Sequence, residues 1–139
     1  MGIQELQAVI LACVDSARLY PITEECPLPL LPVLNTPILS QQLRALEETG
    51  FRKVLVILAE EASSQVFRVL DEYSGPIKID RIVIDLMKDS AEILRLARPK
   101  IESDFVIVPG NLIFSKSQIL SALKFHRNQS STLTMVLIE

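Results

Sequence analysis

The chain has 139 residues, a formal net charge of −3, 49% hydrophobic and 22% charged residues, which suits one folded domain and excludes an intrinsically disordered chain. A mildly acidic balance without a cluster of Lys and Arg argues against direct binding to nucleic acid. No apolar run approaches the roughly 20 residues that a membrane-spanning helix needs, so no membrane association is expected.

Short apolar segments rich in Val and Ile are predicted to be the β-strands. They are Gln7–Cys13, Lys53–Ala59, Arg81–Asp85, Asp104–Val108 and Thr132–Ile138. Most are almost continuously apolar, which is typical of strands that are buried on both faces of a parallel sheet. Ile77 and Ile79 either extend the third strand backwards or form a small hairpin arm.

Helices are predicted between these strands. Thr36 can cap the first helix, with Pro37 at its first position and Gly50 just past its end. A second helix follows Ser63 or Ser64 and buries one apolar face. The segments that begin near Asp89 and Ser115 have the spacing of a capping box, because Glu92 and Gln118 follow three residues later.

Alternating strands and helices predict an α/β fold, a Rossmann-like three-layer sandwich with a mostly parallel sheet. No linker or internal repeat divides the chain, so residues 1–139 are expected to form a single domain. The chain ends directly after its last predicted strand, and we therefore expect this domain to be incomplete at its C-terminal end. Ligands of such sheets bind at the carboxyl ends of the strands.

The loop after the first strand carries the most specific pattern. Its matching residues are Leu11, Ala12, Arg18, Leu19, Pro21 and Thr23, followed by Pro27 and Pro29–Val33. In order and spacing this stretch resembles the sugar-phosphate nucleotidylyltransferase family, whose signature is L-A-A-G-x-G-T-R-L-x-P-L-T followed by P-K-P-L-L-P-V. The resemblance implies a truncated fold of the nucleotide-diphospho-sugar transferase type.

Departures from this signature fall on the residues that handle phosphate. Val14 and Ser16 replace glycines that let the backbone approach the nucleotide, and Ala17 replaces a Thr or Ser. Leu28 replaces the lysine of P-K-P, so a positive charge is missing where negative charge builds up during transfer. The resemblance thus implies a vestigial nucleotide-binding loop formed by Ala12, Val14, Ser16, Ala17, Arg18 and Leu28.

Two further positions of the family pattern are altered. Asp89 takes the place of the glycine that shapes the base pocket in a G-T-A segment, and Ser90 follows it. Asn111 takes the place of the aspartate that binds magnesium in a G-D pair, and an amide is a poor ligand for Mg²⁺. The resemblance therefore implies a vestigial base pocket at Asp89 and Ser90, no metal site, no cofactor and no catalytic residues.

Among the non-catalytic branches of this fold, the chain resembles the gamma-subunit family of translation initiation factor 2B. The resemblance rests on Gln7-Ala8-Val9, on Leu30-Leu31-Pro32-Val33 with Asn35 and Pro37, and on Gly50-Phe51. It implies a cytosolic subunit domain of a guanine-nucleotide exchange factor. The implied partners are the other subunits, epsilon above all, and initiation factor 2, with no direct contact to nucleic acid. An epsilon subunit, or a degenerate GDP-mannose-pyrophosphorylase-like enzyme that binds or transfers nucleotide, stays open.

Other reactive side chains are given structural roles. Cys13 and Cys26 lack metal-ligand spacing and a secretory context, so both are expected to be free thiols. His126 is the only histidine and lies near the end of the last predicted helix, where a histidine interacts favourably with the helix terminus. Asp15 and Asp85 follow strands and are expected to be solvated loop residues or caps.

Overall fold

The computed structural model describes residues 2–13, 17–85 and 89–137. The β-strands of this described part are β1 (Gln7–Leu11), β2 (Pro32–Val33), β3 (Thr36–Pro37), β4 (Lys53–Ala59), β5 (Lys78–Ile84) and β6 (Phe105–Pro109). The α-helices are α1 (Ile22–Glu25), α2 (Ile38–Thr49), α3 (Ser63–Asp71), α4 (Ser90–Ala97) and α5 (Lys116–Gln129). Short 3₁₀ turns precede or follow several of them.

Four of the described strands form one parallel sheet with the order β5-β4-β1-β6. This arrangement confirms the predicted α/β fold, and β1 lies inside the sheet with β4 on one side and β6 on the other. β5 begins at Lys78, so the isoleucines around it extend the third predicted strand backwards, and the hairpin arm is excluded. The predicted strand Lys53–Ala59 coincides with β4, whereas the limits of the first and fourth predicted strands differ from those of β1 and β6 by one or two residues.

Helices cover both faces of the sheet, and successive residues of β1 point to opposite layers. Ala8 and Ile10 pack in the cluster that includes the apolar face of α2 with parts of α3 and α5. Val9 and Leu11 pack in a second cluster with α4. Both layers therefore bury a face of the same strand, which explains why its sequence is continuously apolar.

Three helix termini follow the chemistry read from the sequence. Gly50 ends α2 with φ +110°, a left-handed conformation that glycine adopts without steric cost. The Asp89 carboxylate accepts a hydrogen bond of 2.8 Å from the Glu92 N–H at the start of α4. Ser115 and Gln118 form the full capping box of α5. These local predictions are confirmed.

The start of α2 differs from the prediction. Thr36 does not cap the helix, because it pairs with Val33 in the two-residue ladder of β2 and β3, and α2 begins at Ile38. Leu34 and Asn35 join these strands with φ values of 51° and 63°. Positive φ at both central residues is the conformation that a tight hairpin with right-handed strand twist requires.

The predicted last strand, Thr132–Ile138, is wrong over its described residues 132–137, which form no ladder. The segment contacts α5 instead, because the Thr134 hydroxyl is 2.8 Å from Nδ1 of His126. Leu133 and Leu137 are 75% and 85% exposed. A strand needs a neighbouring backbone, which composition alone does not provide.

Candidate functional site

The carboxyl ends of three strands meet at one edge of the sheet. Leu11 at the end of β1 pairs with Ile57 of β4 and with Pro109 of β6. Along the chain, β4 pairs with one side of β1 and β5 pairs with β4. The chain then crosses over, and β6 pairs with the other side of β1. Strand order thus reverses between β1 and β6, and ligands of open α/β sheets bind at such a point.

Gly110 closes the backbone at this point. Its N–H donates a 2.8 Å hydrogen bond to the Leu11 carbonyl, while the Ala12 N–H donates one of 2.9 Å to the Ile57 carbonyl. A Cβ on residue 110 would lie 2.7 Å from the Leu11 oxygen and 2.8 Å from the Ala12 Cα, and both contacts are with backbone. The two loops approach so closely that only glycine fits.

Gln42 of α2 is hydrogen-bonded to the loop that follows β6. It is 1% exposed, and its Nε2 donates hydrogen bonds of 2.8 Å to the Pro109 carbonyl and 2.7 Å to the Leu112 carbonyl. Its Oε1 is buried and accepts no hydrogen bond from the described residues. The loop that contains Asn111 is therefore fixed at two points by one side chain.

Sequence reasoning missed Gln42 and Gly110 as determinants of the site. The available signal for Gln42 was a polar residue next to Leu43, on the face of α2 that Leu39 and Leu46 also occupy. A polar side chain in an apolar stripe needs a buried partner. Its partners are carbonyls from a loop 67 and 70 residues further along the chain, which no local pattern indicates.

The residues that are predicted to handle phosphate differ in their exposure to solvent. Ala12 is buried at the end of β1, whereas Ala17 and Arg18 lie exposed in a 3₁₀ turn. Leu28 lies in the next 3₁₀ turn and is only 5% exposed. Val14 and Ser16, together with Asp15, lie outside the described residues. Leu28 therefore fills a buried position with an apolar side chain and supplies no charge.

The described residues near this edge that could bind a metal do not fit magnesium. Asn111 follows Gly110 and is exposed, and it offers one neutral amide. Asp85 is exposed and follows β5, which is separated from β6 by β4 and β1 in the sheet. Across residues 2–13, 17–85 and 89–137, no group of three His, Cys, Asp or Glu side chains is placed to hold a metal ion.

Asp89 and Ser90, predicted as the remnant of a base pocket, lie exposed at the start of α4. The Asp89 carboxylate is occupied as the helix cap by the Glu92 N–H. A capping carboxylate stabilises the positive end of a helix, which gives this residue a structural role where the family pattern has glycine. Its assignment to a base pocket stays a prediction.

Reactive side chains elsewhere have structural surroundings. Cys13 and Cys26 are free thiols, and burial raises the pKa of the Cys13 thiol, which disfavours the reactive thiolate. His126 lies in the last turn of α5, and its Nδ1 is 2.8 Å from the Thr134 hydroxyl; its interaction with the helix terminus stays a prediction. Among the helices of the described residues, none has the length and apolarity to cross a membrane.

A four-stranded parallel sheet with the order β5-β4-β1-β6 and helices on both faces defines an α/β domain of the kind that binds ligands at the carboxyl ends of its strands. The chain belongs to the nucleotidyl transferase family, whose sequence profile matches residues 7–139. Membership covers nearly the whole chain and confirms the family resemblance read from the loop after β1.

Curated relatives include subunits of a translation initiation factor and a bifunctional protein. The chain is 31% identical to translation initiation factor eIF2B subunit gamma of Dictyostelium discoideum and 34% identical to that of Schizosaccharomyces pombe. The alignments include 96% and 94% of this chain, and they cover 32% and 30% of the two gamma subunits, respectively. It is also 32% identical to the bifunctional protein GlmU of Methanococcus vannielii, with 86% of the chain and 28% of the relative aligned. The chain thus spans about a third of the length of these relatives.

Solved structures share the fold. The inositol-1-phosphate CTP transferase from T. maritima superposes with a TM-score of 0.74 at 20% identity, over 87% of this chain and 49% of that one. A putative glucose-1-phosphate thymidylyltransferase from Bacillus anthracis gives a TM-score of 0.76 at 25% identity, over 88% and 50%. This chain therefore shares the fold of about half of each of these transferase chains.

Proposed function

We propose that this chain is a non-catalytic nucleotidylyltransferase-like domain of a gamma-type subunit of translation initiation factor 2B, the guanine-nucleotide exchange factor for initiation factor 2. Residues 1–139 would form its N-terminal domain, and its role would be in assembly of subunits in the cytosol. The observation that carries the proposal is the absence of charge at two key positions, buried Leu28 and exposed Asn111.

Nucleotidyl transfer needs positive charge where the phosphates become more negative. A basic side chain and a bound cation both act electrostatically, and loss of one such group typically costs about 10²–10³ in rate. Leu28 offers neither charge nor a hydrogen bond, and the amide of Asn111 is a weak ligand for a hard cation. Because the chain lacks charge at both positions, the retained fold supports a binding role more than turnover.

Similarity to two gamma subunits over more than nine-tenths of the chain supports the assignment to this branch. By this assignment the partners would be the remaining subunits, with epsilon the first of them, and initiation factor 2. A member of the epsilon branch would have the same partners, so the experiment has to identify which position in the complex is filled.

The test is affinity purification of the tagged full-length protein from its own cells, followed by mass spectrometry. We expect the other subunits of initiation factor 2B in stoichiometric amounts, with epsilon present and the authentic gamma position unfilled by another chain. Recovery of gamma alongside the tagged protein would assign it to the epsilon branch. Recovery of sugar-nucleotide enzymes alone would overturn the proposal.

A nucleotidylyltransferase is the second candidate function. It is favoured by exposed Arg18, which keeps the family's arginine, and by the 32% identity to GlmU. An assay with each nucleoside triphosphate, hexose 1-phosphates and Mg²⁺ should detect no sugar nucleotide if the main proposal holds. Turnover that Arg18→Ala abolishes, while Arg44→Ala on exposed α2 surface does not, would establish the enzyme.

A further inference from the structure

The turn between β2 and β3 holds a leucine in a backbone conformation that leucine rarely adopts. Leu34 has φ 51° and Asn35 has φ 63°, so both residues lie in the left-handed region. A two-residue hairpin turn with positive φ favours asparagine, aspartate and glycine at these positions. Asn35 meets that preference. Leucine does not, because in this conformation its Cβ comes too close to the following carbonyl oxygen. A leucine at position 34 therefore lowers the stability of the turn.

Burial does not compensate for this cost. The Leu34 side chain is 93% exposed, the largest exposed fraction among the large apolar side chains of the described residues. A single exposed leucine is common on protein surfaces and needs no explanation by itself. Leu34 differs from that ordinary case because it is exposed and also sits in an unfavourable backbone conformation. A residue of this kind, which adds neither packing nor turn stability, indicates a role outside the fold of the domain.

The hairpin that carries Leu34 is held firmly against α2. Nε2 of Gln41 donates hydrogen bonds of 2.7 Å to the Val33 carbonyl and 3.0 Å to the Thr36 carbonyl, one on each side of the turn. Two prolines also face each other in the β2–β3 ladder, and a proline ring fixes φ. A side chain on such a mount is positioned before any contact forms, which reduces the entropy cost of binding.

The charge around the hairpin favours a protein as the binding partner. From residue 19 to residue 43 the sequence contains no lysine or arginine, whereas Glu24 and Glu25 carry negative charge. Anionic membranes and nucleic acids are both bound with the help of basic residues beside the contact. A single protruding leucine instead suits an apolar pocket on a protein, because side chains that contribute most to binding fill well-packed, desolvated pockets.

We propose that the tip of the β2–β3 hairpin is a docking surface for a different protein chain, with the Leu34 side chain inserted into an apolar pocket of an adjoining subunit. This inference rests on the proposed function, because the partner belongs to the assembly named there. Two relatives over nearly the whole chain are, by their names, subunits. Val33, 36% exposed, adds apolar area beside Leu34. Burial of both side chains on docking offsets the unfavourable turn.

Substitutions in the turn of the full-length protein separate stability from binding. Leu34→Gly relieves the unfavourable backbone, and Leu34→Asn keeps the left-handed turn but replaces the apolar side chain with a polar one. We expect both variants to raise the melting temperature by about 1–3 °C. Asn35→Gly, the matched control, alters the same turn without removing an apolar group, and it should change the melting temperature by less than about 1 °C.

Binding is measured on the assembly that the tagged full-length protein recovers from its own cells. Release of the initiation-factor subunits from the immobilised protein is followed over time by quantitative mass spectrometry. We expect both Leu34 variants to release them at least about tenfold faster than the wild-type chain. Asn35→Gly, and Leu34→Met with its apolar side chain, should stay within about threefold. A merely structural role could not raise stability and weaken binding in the same variant.

Equal release from all variants and the wild-type chain overturns the docking role of Leu34. A lower melting temperature of both full-length Leu34 variants also overturns it, because Leu34 would then contact another part of its own chain. Unchanged release together with lost self-association in sedimentation would make a second copy the occupant, which contradicts the proposal as well. If the wild-type protein recovers no initiation-factor subunit, the proposed function fails and this inference fails with it, whereas recovery with unchanged release refutes this inference alone.

Discussion

Two buried glutamines hold opposite ends of the sheet, and they do so differently. At the amino end, Gln7 is 2% exposed; its Nε2 donates to the Lys100 carbonyl at 2.9 Å and its Oε1 accepts the Glu102 N–H at 3.1 Å. At the carboxyl end, Nε2 of Gln42 serves two carbonyls, and its Oε1 has no donor among the described residues. One amide uses both its polar atoms, the other only its nitrogen.

The difference shows that the loop at the carboxyl end is held in place although one buried polar atom, Oε1 of Gln42, has no hydrogen bond among the described residues. Gln42 and Gly110 fix the backbone on both sides of Asn111, while Leu28 and Asn111 carry no charge. The hydrogen bonds that fix this loop therefore do not depend on charge at positions 28 and 111. Substitutions at the two glutamines and their neighbours measure how much each end contributes to stability.

The largest effect is expected for Gln42→Glu. A carboxylate would face two carbonyl oxygens in a buried position, and burial raises the pKa of such a group. We expect a loss of about 3–5 kcal/mol at neutral pH by denaturant unfolding. A raised folded-state pKa means that the variant is least destabilised below about pH 4 and loses stability as the pH rises. Gln42→Met, which loses the same bonds without adding charge, should show no such pH dependence.

Gly110→Ala should be next. The added Cβ would meet the Leu11 oxygen at 2.7 Å, and because both close contacts are with backbone, the β1 and β6 loops must separate. We expect a loss of about 2–3 kcal/mol in the free energy of unfolding. Gly2→Ala is the matched control, since nothing lies within 4 Å of a Cβ at that position. An equal effect of both substitutions would contradict the close packing of the two loops.

Gln7→Met measures the amino end. The substitution keeps the shape but removes the donor to Lys100 and the acceptor for Glu102, which leaves two backbone groups without partners. We expect a loss of about 1–2 kcal/mol, measured by the same urea titration. A loss as large as that of Gln42→Glu at neutral pH would mean that the amino end is the more critical of the two.

The smallest effect is expected for Glu102→Gln. The hydrogen bond and charge of Lys53, at 2.6 Å, hold the pKa of the Glu102 carboxyl below its usual range. A lowered folded-state pKa gives a contribution that is present above the ordinary pKa and is lost as the pH falls through the lowered value. Both side chains are well exposed, so the change in melting temperature should be smaller than for Gln7→Met and should vanish in high salt.

Local chemistry explains what could be predicted of the fold. Continuous apolar runs identified the sheet strands, and the caps at Asp89 and Ser115 and the terminator Gly50 act on residues within one helical turn. Two predictions failed for different reasons. Thr36 pairs with Val33 in a local ladder across the turn at Leu34 and Asn35, which competes with its role as a helix cap. Residues 132–137 have the composition of a strand, but no described strand pairs with them.

The candidate site was predictable only in part. Its family pattern located the edge of the sheet and the altered residues, because those positions follow strands in a fixed order. What orders the loop, the contact of Gln42 with carbonyls beyond β6 and the close approach of Gly110 to β1, arises from packing between distant segments. No spacing rule within the sequence contains that information.

Because hydrogen bonds alternate along a parallel ladder, the backbone amides of β6 should exchange with deuterium at two different rates. Amide protons of Val106 and Val108 are held by β1 and should exchange slowly, whereas those of Phe105 and Ile107 are not bonded to β1 and should exchange faster. The exchange rates would thus report, residue by residue, which backbone groups of β6 face β1.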